Sequence, residues 1–152
     1  MCKRFVMLVL LAAFAAVAAA ETPLDPPFVE VVRIVSDADG KTRFATGAIP
    51  LAEQDYAPPA PALAVSPRLA ATDVAFASLP AGYFGDWHPA PRRQYGLLLS
   101  GALEIETGDG DKRRLDAGGV FLLEDVSGQG HRTWVVGDEA ALVALIPVPA
   151  AE

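Results

Sequence analysis

Gln94-Tyr95-Gly96-Leu97-Leu98-Leu99-Ser100-Gly101-Ala102-Leu103-Glu104-Ile105-Glu106-Thr107-Gly108-Asp109-Gly110-Asp111 reads as two strands and two reversals. Leu103, Ile105 and Thr107 alternate with Glu104 and Glu106, a period of two that gives one core face and one wet face. Gln94 to Leu99 and Ala102 to Thr107 are strand-length, and Ser100-Gly101 and Gly108-Asp109-Gly110-Asp111 are hairpin turns. Outward from this unit the pattern repeats. Asp73 to Leu79, Val120 to Leu123, Thr133 to Val136 and Ala140 to Ile146 are strand-length runs bounded by Gly, Pro, Asp or Ser, spaced as in an all-β sandwich or barrel. Lys112-Arg113-Arg114 reads as the wet end of a hairpin.

Further upstream, Phe28 to Val35 is β-branched and strand-length, Asp37-Ala38-Asp39-Gly40 is a turn, and Ala48 to Leu51 is a short strand. Tyr56 to Pro67 carries Pro58, Pro59, Pro61 and Pro67, which cannot donate regularly to a ladder. It is expected to lie extended on the surface or along a sheet edge. The first twenty residues stand apart. Lys3 and Arg4 precede an uncharged run from Phe5, and Ala18 and Ala20 place small residues before Glu21. That order is a secretory signal peptide cleaved after Ala20, which makes the mature chain periplasmic or secreted and not membrane-bound. The organisation expected is therefore a signal at 1–20, an N-terminal strand and proline-rich arm at 21–71, and an all-β core at 72–148 on which that arm packs.

The chain has 152 residues, with 12 Lys+Arg against 19 Asp+Glu, a formal charge of −7. Removing the signal takes two basic residues and no acidic ones, leaving −9, which argues against a nucleic-acid partner. The one cysteine, Cys2, goes with the signal, so the mature domain has no disulfide and must be stabilised by its core. One domain is what this length supports. A homodimer is expected, with the apolar run from Ala140 to Pro147 as the candidate strand.

Gly82-Tyr83-Phe84-Gly85-Asp86-Trp87-His88-Pro89-Ala90-Pro91-Arg92-Arg93-Gln94, running on to Gly101, resembles the first motif of the cupin family. The motif's glycines fall on Gly82 and Gly101, its first His on His88, its second His on Ala90 and its Glu on Gln94. Leu115 to Leu123, running to His131, resembles the second motif, with an interval from Gly118 to His131 two residues longer than usual. The resemblance covers roughly 72–148 and implies a single-domain jelly-roll β-barrel. It also implies a metal site on His88, Gln94 and His131, holding one divalent ion (Zn, Fe, Ni, Mn or Cu) weakly, because one imidazole and one carboxylate are replaced.

His88 and His131 are the only histidines in the chain, and both fall on ligand positions of the motifs. Arg92 and Arg93 beside Gln94, with Glu124 in the second motif, are the candidates for binding a small-molecule ligand; an arginine fork suits a carboxylate or phosphate. Asp125 is a second nearby oxygen donor, and Trp87 and Trp134 are read as core. Two functions fit. One is a metal-dependent enzyme, oxygenase- or isomerase-like, acting on a small molecule. The other is a non-catalytic ligand-binding or assembly module that kept the barrel and lost the metal chemistry.

Overall fold

The computed structural model describes residues 28–149, so the export segment read at 1–20 and the prolines of 21–27 lie outside it. β1 (Phe28–Ser36) and β2 (Thr42–Pro50) pair along their whole length as an antiparallel hairpin. In its turn, Asp37 Oδ1 accepts from the Asp39 and Lys41 amides at 3.0 and 2.9 Å, and Gly40 adopts φ +77°. β3 (Ala52–Gln54) and β4 (Leu63–Val65) form a separate two-stranded sheet closed by the proline-rich segment.

The remaining strands are β5 (Ala75–Leu79), β6 (Phe84–His88), β7 (Gln94–Ser100), β8 (Ala102–Glu106), β9 (Lys112–Asp116), β10 (Val120–Leu123), β11 (His131–Val135) and β12 (Ala141–Pro147). With β1 and β2 they build two sheets: a six-stranded one in the order β2-β1-β10-β7-β12-β5 and a four-stranded one in the order β6-β11-β8-β9. Strands distant in sequence interleave, as when β10 enters between β1, which it meets in parallel, and β7. This is a jelly roll, all-β throughout the described residues. Its core lies between the sheets, where Ile34 and Leu98 of the large sheet and Ile105 and Leu115 of the small one belong to one buried cluster. Each fully buried aliphatic side chain contributes about 1.5–3 kcal/mol.

The structure departs from the sequence-based strands at four places. β2 runs from Thr42, well before Ala48, because buried Thr42 and Phe44 flank exposed Arg43 and the strand pairs with β1 along its whole length. That pattern rests on a threonine and is faint in hydropathy. β9 is a full strand despite Lys112, Arg113 and Arg114, since the ladder with β8 and the single inward anchor Leu115 hold it. β6 is also a strand, and β11 starts at His131 rather than Thr133. The Ala140–Pro147 run becomes β12, enclosed between β7 and β5.

Candidate functional site

Between the sheets lies a cavity of about 370 Å³. Its walls are largely apolar, including Leu79 of β5, Leu103 and Ile105 of β8, Phe121 and Leu123 of β10 and Leu145 of β12. The Phe121 ring fits against the bare backbone of Gly96 on β7; a Cβ there would overlap the ring. The polar lining comprises His88, Gln94 and His131, with Ser78, Tyr83 and Thr133 also on the wall.

The two histidines come together by register. His88 on β6 is the cross-strand partner of His131 on β11, and their ring centroids are 4.8 Å apart with planes tilted by 51°. Two residues further along β11, Thr133 pairs with Gly85, so Asp86 and Trp87 together oppose Arg132. This bulge lets Gly85 and His88 both turn toward the cavity side, which strict alternation over three residues would forbid. Gly85 must stay small, since a Cβ would lie 2.9 Å from Tyr83 Oη and 3.3 Å from His88 Cε1.

Both imidazoles have their Nδ1 engaged on the side away from the cavity. His88 Nδ1 lies 2.6 Å from the Asp86 carbonyl, which can only accept, so Nδ1 carries the hydrogen. His131 Nδ1 lies 2.6 Å from Asp125 Oδ2. Asp125 is 0% exposed, its Oδ1 has no partner among the described residues, and its backbone carbonyl accepts from the Ala90 amide at 3.0 Å. With Nδ1 as the donor, the neutral form of each ring presents its lone pair on Nε2. His131 itself is buried, whereas His88 sits at the exposed rim.

The loop before His131 is clamped. Gly130 has φ +76°, and a Cβ there would overlap the His88 carbonyl. Buried Thr42 donates its hydroxyl to the Gly130 carbonyl at 2.5 Å and accepts from the Gly108 amide at 2.7 Å. Thr42 and Asp125 escaped sequence reasoning in these roles. The visible signal for Asp125 was its place in the second motif, six residues ahead of His131 across a glycine-containing loop.

The other sequence candidates lie elsewhere. Glu124 is turned from the cavity that Leu123 lines and accepts from Arg33 Nε at 2.6 Å and Arg93 Nε at 3.1 Å. Burial raises its pKa, but the hydrogen bonds from Arg33 and then Arg93 outweigh this and hold it below the ordinary glutamate value. Arg93 also donates to the Pro149 carbonyl at 2.9 Å, and Arg92 is exposed; neither lines the cavity. Trp87 and Trp134, read as core, are half-buried on the outer face of the small sheet. The Arg132 guanidinium lies 4.9 and 5.2 Å from their rings and is held by Glu106 at 3.0 and 2.9 Å. The bulge and the strand alternation turn both indoles outward.

His88, Gln94 and His131 thus line one cavity, but their donor set is two neutral imidazoles and a neutral amide. Ala90, at the second-His position, is a buried core residue. Among the described residues no three His, Cys, Asp or Glu side chains group as a metal site. Asp125, which could have supplied the missing charge, is spent on the outer nitrogen of His131. These residues do not fit a tightly held resident cation, and no step below runs through one.

No family model and no curated protein matches this chain. Similar solved structures include a conserved protein of unknown function from Streptococcus pyogenes, at 23% identity and TM-score 0.39. That match covers 51% of this chain and 65% of the other, so it spans just under two thirds of the Streptococcus protein. The cupin domain of Schizosaccharomyces pombe Cnp3 is similar at 15% identity, covering 80% of this chain and 88% of that one, with TM-score 0.40. A Salmonella typhimurium protein named for ethanolamine utilization (protein Q) is similar at 14% identity, covering 82% and 98%, with TM-score 0.41. Likeness at this level says nothing of ligand or activity. The strand order is that of a jelly roll, and both motif histidines are seated on facing strands.

Proposed function

We propose that this chain is an exported small-molecule-binding protein whose ligand sits between the two sheets with its polar group at His88, Gln94 and His131. One observation carries the reading: a mostly apolar cavity of about 370 Å³ with two imidazoles held in one orientation at its polar end. Such a pocket, apolar with a few convergent polar groups, is the usual form of a small-molecule site. The donor set favours the binding module over a metal-dependent oxygenase or isomerase, because it lacks the anionic ligand that would retain an ion. The same imidazoles are placed to exchange a proton with a bound ligand. The export expectation rests on the charged, apolar, small-residue order of the first twenty residues.

The test is uptake of a neutral apolar dye, 1-aminoanthracene, by the purified mature chain. One dye per chain with enhanced emission is expected. Ala77→Phe, which places a ring in the cavity from β5, should abolish the signal while thermal unfolding shows an intact fold. A wild-type protein that takes up no dye removes the reading.

A further inference from the structure

We infer that the ligand is an uncharged hydroxyl compound, an alcohol or phenol on an apolar body, and that Asp125 is a positioning residue keeping the buried His131 as the acceptor of that hydroxyl. This rests on the small-molecule reading above and adds the chemical class.

The class follows from what surrounds the cavity and what does not. Among the described residues no lysine or arginine lines it. Arg33 and Arg93 are bound to Glu124, Arg132 is bound to Glu106, and Arg92 is exposed outside the lining. An ionised acid would therefore enter with no cation to meet it, beside the buried carboxylate of Asp125. The two imidazoles present lone pairs, and a ligand without a donor hydrogen would leave the buried His131 nitrogen unmet. A ligand hydroxyl satisfies it. A chain of buried carboxylate, imidazole and hydroxyl also gives that hydroxyl a base, since the imidazole can take its proton while the carboxylate stabilises the imidazolium. The cavity volume suits a molecule of about a dozen non-hydrogen atoms at ordinary packing.

A matched series decides it: 4-butylphenol, its methyl ether 4-butylanisole, and 4-butylbenzoate, each competing with 1-aminoanthracene at neutral pH. The phenol is expected to compete at least tenfold better than either of the others. Asp125→Asn keeps the size of the side chain but lets the imidazole adopt the other tautomer, and should lower the phenol-to-ether ratio about tenfold. A residue that merely supported the fold would weaken all three alike. If that variant fails to fold, nitrogen NMR of the wild-type histidines replaces it, with His131 expected as the Nδ1–H tautomer; an Nε2–H tautomer overturns the assignment of Asp125. Equal competition by the ether, or benzoate binding as well as the phenol, overturns the ligand class. Dye uptake with no competition by the phenol overturns this inference and leaves the pocket reading standing. No dye uptake at all removes the pocket reading itself.

Discussion

His131 is fixed by three restraints that come from different parts of the chain: the Asp125 carboxylate on Nδ1, the Thr42 hydroxyl on the preceding carbonyl, and the close seating of Gly130 against His88. Gly130 is the least replaceable of these. Alanine there meets both an unfavourable left-handed backbone and the His88 carbonyl. Gly130→Ala should cost about 2–4 kcal/mol in urea unfolding and weaken dye binding in whatever fraction stays folded. Gln94 gives the complementary test by adding chemistry. Gln94→Glu nearly preserves volume and supplies the negative charge that the imidazole pair lacks. It should bind Zn²⁺ or Ni²⁺ measurably tighter than wild type by calorimetry, with the gain lost in either His→Ala background. Unchanged affinity would mean that the three side chains do not converge on one point.

At the scale of the element, the hinge between β1, β7 and β10 is electrostatic on the outside and apolar within. Glu124 follows β10 and takes hydrogen bonds from Arg33 of β1 and from Arg93 just before β7, tying three segments together. Its pKa is depressed in the folded state, so its contribution is present above the ordinary glutamate value of 4.5 and is lost as pH falls through the folded value. Glu124→Gln should therefore cost about 1–2 kcal/mol at neutral pH and show a flatter fall in stability below about pH 4.5. A variant whose melting temperature tracks wild type at every pH would remove that role. The strands that sequence reasoning found were those with clean apolar alternation or apolar runs, such as β8 and β12. Those it missed or shortened, β2, β6 and β9, have polar or glycine residues at half their positions and owe their existence to partners far away in sequence. Pairing, not local preference, makes them strands.

For the whole molecule, the all-β architecture and the meeting of His88, Gln94 and His131 were legible, because motif spacing places them on strands that the jelly roll brings face to face. Arg93 and Glu124 were less so: a position next to a cavity residue in sequence points to the opposite face of the sheet, and only the pairing register says which residue faces in. Self-association follows the same logic. With β12 enclosed, the edges of the large sheet among the described residues are β2, which carries Arg43 and Pro50, and β5. From Val74 to Gly85 there is no charged residue in an otherwise acidic chain, and Phe76 is 67% exposed. An edge without lysine, proline or bulge within the strand invites a second copy. Sedimentation is expected to show a two-fold dimer that Phe76→Lys converts to monomer; a wild type that stays monomeric at high concentration would rule that contact out.

The bulge on β6 carries a consequence for how such a pocket can change. Asp86 and Trp87 share the single partner Arg132, so Gly85 and His88, three residues apart, both face inward. Remove Asp86 and the pleat regains its strict beat without turning anything over: Gly85 stays inward, Trp87 outward and His88 inward. The loss of a single codon here would thus straighten the strand and leave the imidazole at its post, whereas the same loss at a regular position would swing the residues beyond it to the outer face. The strand carries a spare residue, and the lining of the pocket is buffered against its loss.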